Sequence, residues 1–447
     1  MIVANARKLY GNAVVAAALR GQRRVPYLPR EELARLRDRR IRETVAYAAR
    51  WVPYYRDWFA ANGVDPRSIR GAAELDRLPV LDRELVRRRP DAFVAETRAA
   101  RGAVAFTTSG TTGMPLEVRH DRRSLLANIA YGEREREPVV RSCGGRFRPR
   151  ELYVGYPTST FKQVQEFYAR STRLPVRPLR RFVSLLEPLE RVVAVANAER
   201  PDVLVGYGGW IDLFFKTVAA RGLEIHVPKV VLYMGEALPP GAREHIAERF
   251  GVPVLSRYNA VEAFKIGFLC ERQTGFHLHE DLCHVRIASP DGSPVPDGTE
   301  GRVVLTNLIN RATVLLNYPI GDTASRSAEP CPCGRTLRRL SELGGRIEDV
   351  LVVADGRSVH PRAVWELFKG DADVLQYQLT QHEAARFELT LVTVDEAAFR
   401  RALARALPGL QRLLGADAHV AGVHRTEPDR GASGKFRAVA SALTRPA

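Results

Sequence analysis

The sequence predicts an α/β protein: a large N-terminal domain with mostly parallel sheets plus a β-rich subdomain, then a small α+β C-terminal domain. Three observations carry this. Short apolar runs alternate with helical spacing through the middle of the chain, a section rich in β signals follows, and a Gly344-Gly345-Arg346 break precedes a separate α+β pattern. At 447 residues the chain exceeds one ordinary core and suits two or three domains.

The elements follow in order. The opening MIVANARKLYGNAVVAAALRGQRR is partly apolar but interrupted by Arg7 and Lys8, with no clean small-residue cleavage site. That predicts an amphipathic helix and not a signal peptide. Residues 30–63 carry helical spacing, broken at Pro53. Residues 152–156, 203–205, 230–234 and 252–255 read as buried strands, with helices over 185–198 and 241–250 between them. In VRIASPDGSPVPDGTEGRVVLTNL, two turn signals, Pro290-Asp291-Gly292 and Pro296-Asp297-Gly298, predict a hairpin or meander. Beyond the glycine break come a strand over 349–354, a helix from Pro361, the strand FELTLVTV, a helix over 396–414 and a strand over 419–423. The expected domains are 1–345 and 350–447, joined by a hinge at 346–349.

Composition narrows the classes. A hydrophobic share of 45% with 27% charged residues is ordinary for a globular protein. The net charge of +17 invites a nucleic-acid partner, but the arginines are scattered end to end and form no basic tract. A polyanionic small molecule such as ATP or coenzyme A is an equally good use for such charge. No run of 18 apolar residues exists, so no membrane span is expected. Five cysteines in so long a chain (Cys143, Cys270, Cys283, Cys331, Cys333) make no disulfide framework, and a reducing, cytoplasmic setting fits.

The most informative stretch is FTTSGTTGMP, Phe106 to Pro115. Thr107, Thr108, Ser109, Thr111 and Thr112 offer hydroxyl donors, while Gly110 and Gly113 let backbone N–H groups approach an anion. A polyphosphate-binding loop is predicted, although the spacing is not that of a P-loop and Met114 stands where a lysine would follow. The cysteines offer a second centre. Cys331, Cys333, Cys270 and His277 form a three-thiolate, one-imidazole set suited to structural zinc, with His279 and Cys283 as competing ligands. The alternative is free buried cysteines beside an ordinary histidine, with Cys143 a bystander.

TTSGTTGMP resembles the phosphate-binding signature of the adenylate-forming (acyl-AMP) superfamily. With WVPYYRDWF, LPVLDRELVR and CPCGR, the chain is similar to its phenylacetate–CoA ligase-like branch, colinearly from about residue 43 to 440. The resemblance implies the adenylate-forming enzyme fold with a mobile C-terminal domain. It implies roles as well. Lys435, in GASGK, with Glu262 and Thr107, would be catalytic, and Glu262 would hold magnesium. Thr108, Ser109, Gly110, Thr111, Thr112 and Gly113 would bind phosphates. Gly235, Glu236 and Ala237 would line the adenine and substrate carboxylate; Tyr258 would stack on adenine beside Asn259. Asp322 would bind the ribose hydroxyls, and Arg346 would bind nucleotide next to the hinge residue Glu348, which replaces the usual Asp. Members of this branch also resemble the cysteine pattern.

The reaction implied is ATP-dependent activation of a carboxylic acid to acyl-AMP with release of pyrophosphate, then transfer to coenzyme A. Alternatives are an amide ligase that passes the acyl group to an amine, and a catalytically silent, zinc-stabilised binding protein. Where members of that branch usually carry a glycine-rich aromatic segment, this chain has the polar Tyr156-Pro157-Thr158-Ser159-Thr160-Phe161. The acid implied is aromatic or polar-substituted, hydroxylated or amino-bearing in preference to plain phenylacetate, with Tyr156, Tyr207, Gly208 and Met234 as candidate acyl-pocket residues. A homodimer is the expectation for assembly.

Overall fold

The computed structural model describes residues 2–108, 115–173, 179–239, 241–346, 349–425 and 436–443. Two compact units divide the chain. The first comprises Met1–Pro149, Pro157–Leu179 and Leu255–Gly344; the second comprises Arg150–Tyr156, Arg180–Val254 and Gly345–Ala447.

In the first unit the helical stretch breaks where the proline requires it. One helix spans Arg30–Trp51 and the next Pro53–Ala61, with Val52 extended at φ −110° between them. A residue before proline is pushed out of the helical region, and proline itself is tolerated in the first turn. The β-rich section forms successive neighbours Cys283–Ala288, Glu300–Asn307, Tyr318–Ser327, Arg339–Arg346, Phe276–Leu278, Gly267–Leu269 and Val254–Tyr258. Cys283–Ala288 pairs antiparallel with Glu300–Asn307, as the two turn signals require, and Glu300–Asn307 pairs antiparallel with Tyr318–Ser327. Gly292 and Gly298 occupy the left-handed region, φ +89° and +83°, where only glycine is unstrained. A separate two-stranded hairpin pairs Val104–Thr107 with Glu117–His120.

In the second unit Arg150–Gly155, Val203–Gly206 and Val230–Met234 form a parallel sheet, and Leu179–Ser184 lies beyond Arg150–Gly155. All five residues of Val230–Met234 are buried, which is why these strands read as continuous apolar runs and not as alternation. Before the C-terminal part of this unit, two boundaries differ from expectation. The helix expected over 185–198 runs Leu189–Glu199, because the preceding segment is spent on a strand and Pro188 takes the N-cap. The strand expected over 252–255 is Val254–Tyr258, since Pro253 has no N–H to give a ladder.

The C-terminal part of this unit carries a four-stranded sheet ordered His419–Arg425, Arg386–Val392, Gln376–Glu383, Val439–Ser441. Against it lies the helix Glu396–Leu414, capped by Asp395, whose carboxylate accepts from Ala398 N at 2.7 Å. Leu379, Leu389, Leu391, Ala402 and Leu410 are fully buried there. The strand expected over 349–354 shrinks to Leu351–Val352, paired with Ser358–Val359. Among the described residues no helix is long and apolar enough to cross a membrane.

Candidate functional site

The expected nucleotide residues divide between the two units. In the first, the Val104–Thr107 strand delivers Thr107, exposed at its end, to the start of the predicted phosphate loop. Thr108 closes the hairpin: its N–H donates to the Leu116 carbonyl and its Oγ1 accepts from Leu116 N, each at 2.9 Å. One of the hydroxyls expected to face phosphate is thus engaged in shaping the loop. Ser109, Gly110, Thr111, Thr112 and Gly113 lie outside the described residues, as do Glu348 and Lys435; Arg346 ends its strand, with its side chain outside them.

Further along this unit, the strand end at Tyr258 opens into a tight turn. Tyr258 is buried and its hydroxyl donates to Asp322 Oδ2 at 2.7 Å, joining residues that the sequence keeps 64 positions apart. The Asn259 amide, with its nitrogen turned toward the main chain, donates to Phe264 O at 2.7 Å and Tyr258 O at 3.0 Å. Glu262 is buried, and its carbonyl accepts from the buried Asn307 amide at 2.8 Å. Burial first, and then the neighbouring Glu262 carboxylate, push the Tyr318 phenol up to about 12, partly offset by a hydrogen bond from Arg83. Gly321, before Asp322, sits at φ +91°.

In the second unit, Val230–Met234 ends at buried Met234 and turns through Gly235 at φ +80°. Glu236 is the organising side chain. Its carboxylate accepts from Gly209 N at 3.2 Å and from Phe436 N at 2.7 Å. The first bond satisfies an orphan donor at the N-terminus of the helix Gly208–Ala220. Tyr207 is the N-cap residue of that helix, and a Cβ at Gly235 would come within 3.0 Å of its ring. A Cβ at Gly208 would lie 2.2 Å from the Ala237 carbonyl oxygen, so the two segments touch backbone to backbone. Tyr156 packs half-buried against the same core as Tyr207. The segment Tyr207-Gly208-Gly209 and the turn Gly235-Glu236-Ala237, which follows Met234, therefore pack directly against each other.

The polar segment after Tyr156 has a local explanation. Ser159 caps the helix Thr160–Ser171, its Oγ accepting from Lys162 N at 3.3 Å, and Thr158 O accepts from the Gln163 amide. Part of its polarity serves the helix terminus.

The first unit also gathers the cysteines. Ligand atoms of Cys270, His277, Cys331 and Cys333 all lie within 4.8 Å of one another. Cys270 Sγ is 3.7 Å from Cys331 Sγ, and Cys333 Sγ is 3.4 Å from His277 Nε2. Backbone N–H groups of Arg272 and Arg335 point at Cys270 Sγ and Cys333 Sγ, at 3.4 and 3.5 Å. Such donors stabilise sulfur carrying negative charge. Burial pushes His277 down to about 3, leaving a neutral imidazole, and pushes the Cys270 thiol up to about 12, a penalty that a bound cation reverses. This set fits a tetrahedral divalent metal. The rival ligands are occupied elsewhere: His279 Nε2 meets Glu135 Oε1 at 3.2 Å, and the Cys283 thiol donates to the carbonyls of Lys265 and His279.

Sequence reasoning missed the buried charges behind these residues. Glu135 is completely buried and meets Lys265 Nζ at 2.6 Å, His279 at 3.2 Å and Arg257 at 3.4 Å. Burial alone would raise its pKa, but Lys265, His279 and Arg257 outweigh that and hold the carboxyl below the usual range. The adjacent Arg134 makes a two-pronged pair with Asp281 at 2.6 and 2.9 Å. Lys265 lies three residues after Glu262, so this cluster supports the same turn. Glu135→Gln is expected to cost about 3–5 kcal/mol, because it strands a buried cation. The urea midpoint reads this, and adding Lys265→Met should recover part of the loss. An unchanged midpoint would refute the assignment.

No protein-family model matches the chain. A phenylacetate–coenzyme A ligase of Thermus thermophilus is 29% identical over 388 residues, covering 83% of this chain and 84% of that protein. The Escherichia coli protein of the same name is 24% identical over 381 residues, covering 82% and 83%. Among solved structures, 2-hydroxyisobutyryl-CoA ligase in the postadenylation state matches with a TM-score of 0.73 at 18% identity, over 93% of this chain and 90% of that one. The chain is thus a homologue of phenylacetate–coenzyme A ligases, carried on the fold of the adenylate-forming CoA ligases.

Proposed function

We propose that this protein activates a carboxylic acid with Mg·ATP and passes the acyl group to coenzyme A. A carboxylate oxygen attacks the α-phosphorus, the bond to the bridging oxygen breaks, and pyrophosphate leaves. The thiol sulfur then attacks the acyl carbonyl, AMP departs, and the thiol proton is released. Catalysis of the first step is mostly positioning and neutralisation of charge. The observation that supports this most is the Tyr258–Asp322 bond at 2.7 Å, which joins an aromatic face suited to a purine with a carboxylate suited to a ribose diol.

Thr107, Thr108 and the glycine-rich segment after them would hold the phosphates. Glu262 would hold magnesium, a hard cation that neutralises phosphate charge. Gly235, Glu236 and Ala237 would face the adenine and the acid, and Tyr156, Tyr207, Gly208 and Met234 would wall the acyl group. An aromatic acid suits that wall, and a hydroxyl or amino substituent would suit the phenols of Tyr156 and Tyr207. After adenylation, residues 350–447 would swing about 346–349, a short hinge absorbing the change. Cys270, His277, Cys331 and Cys333 would hold zinc as a structural ion.

Carboxylate-dependent ATP–pyrophosphate exchange over a panel of aryl, hydroxyaryl and amino acids tests the reading, with product analysis in the presence and absence of CoA. Exchange with an aryl acid and a CoA-dependent thioester are expected. Exchange with no acid would overturn the proposal, and an amide formed in place of a thioester would replace its second half.

A further inference from the structure

Phe264 has a backbone conformation that its side chain opposes. Its φ is +59°, in the left-handed region, where a bulky residue costs about 1–2 kcal/mol. The surrounding bonds over-determine it: Phe264 N donates to Ala260 O at 2.6 Å, Ile266 N donates to Tyr258 O at 3.0 Å, and the Asn259 amide grips Phe264 O. The strained residue aims its ring outward from the Glu262 turn into the hairpin that carries Thr107 and Thr108. There its centroid lies 4.2 Å from that of the His120 ring, and it meets Phe106 edge-on at 5.3 Å and 89°.

His120 completes the contact. It ends the strand Glu117–His120, pairs with Val104, and is buried. Its Nε2 lies 2.7 Å from the Val261 carbonyl, the residue directly before Glu262. A carbonyl only accepts, so Nε2 carries the proton. Burial keeps the ring neutral, with its pKa pushed down to about 4. The residues on either side of His120 are fixed too: Arg119 N donates to Thr313 Oγ1 at 2.9 Å and Asp121 N to Asn310 Oδ1 at 3.1 Å. One hydrogen bond and one three-ring contact thus tie the Glu262 turn to the hairpin.

We propose that His120 is a positioning residue for the nucleotide phosphates: its Nε2–H and the Phe264 ring against it hold the Glu262 turn in register with Thr107 and Thr108. This rests on the proposed reading, in which Glu262 serves the magnesium and the hairpin serves the phosphates. Neither aromatic partner nor His120 belongs to any motif that the resemblance supplied.

The test compares H120F, which keeps ring and packing but lacks the donor, with H120Q, which returns an N–H at similar reach. Each is assayed in carboxylate-dependent pyrophosphate exchange, with Mg·ATP and acid varied separately. H120F is expected to raise KM for Mg·ATP about tenfold, the effect of losing one buried hydrogen bond. Its KM for the acid should stay near that of the parent, and H120Q should recover most of the loss. A purely structural defect would reduce the active fraction without moving one KM and sparing the other. An unchanged Mg·ATP KM in H120F, or H120Q as impaired as H120F, overturns the proposal. Should H120F show no cooperative melting transition, F264L gives the same readout: a raised Mg·ATP KM supports the clamp and an unchanged one overturns it. A parent protein with no exchange on any acid defeats the functional reading and the clamp together, whereas an active parent with an indifferent H120F defeats the clamp alone.

Discussion

Replacing Lys435 by alanine is expected to lower carboxylate-dependent pyrophosphate exchange by about 10²–10³-fold, the cost of removing one charge aimed at a transition state. Lys435 itself lies outside the described residues, but its neighbour does not. Phe436 is buried, its N–H donates to Glu236 at 2.7 Å, and its ring would sit 2.9 Å from a Cβ on Gly209. Arg437, the next residue, pairs with Asp349. The main chain at Phe436 is therefore moored to the Gly235-Glu236-Ala237 turn, the segment proposed to face the adenine and the acid. Exchange assays on K435A read the loss, and a thermal melt run alongside separates it from unfolding. Thiolysis of a chemically prepared acyl-AMP should change far less, since the proposed swing of residues 350–447 would carry position 435 away before the thiol attacks. Exchange within threefold of the parent would end that assignment.

Zinc is the second large effect. Protein purified without chelator is expected to contain stoichiometric zinc, and Cys331→Ala is expected to lose it and melt at least about 5 °C lower. The size follows from what the ion would hold: Cys270 follows the strand Gly267–Leu269, His277 sits in Phe276–Leu278, and Cys331 and Cys333 come from a turn more than 50 residues later. Without a cation, buried sulfurs 3.7 Å apart and a neutral buried imidazole have little to hold them together. Metal analysis by mass spectrometry and thermal melts of both proteins decide the matter. Absence of zinc, with identical melting curves, would leave the cluster as reduced thiols.

How much of this was legible in the sequence depends on how local each signal is. Pro53 broke its helix where expected, and the fully apolar strand Val230–Met234 announced a buried parallel sheet. Boundaries set by tertiary choice were less readable: nothing local says that Leu179–Ser184 becomes a strand and delays the next helix to Leu189. The four residues of the candidate metal site were named together, and the fold gives the rivals His279 and Cys283 to Glu135 and to backbone carbonyls. Arg134 and Glu135 sit in the run GEREREP, which reads as a solvated helix face; both are buried. Ser159 looked like pocket polarity and is a helix cap. His120 and Phe264 gave no signal, because a positive φ and a stacked pair exist only once the chain has folded.

On the proposed reading, the near-contact of Gly208 with the Ala237 carbonyl oxygen would limit any attempt to redesign which acid is accepted. A library that varies position 208 would yield displaced main chain and not a reshaped cavity, since the obstacle is peptide and cannot rotate aside. On the proposed reading, breadth of selectivity would instead be sought at Tyr207 and Met234, where a replacement has to fill the space of a buried side chain.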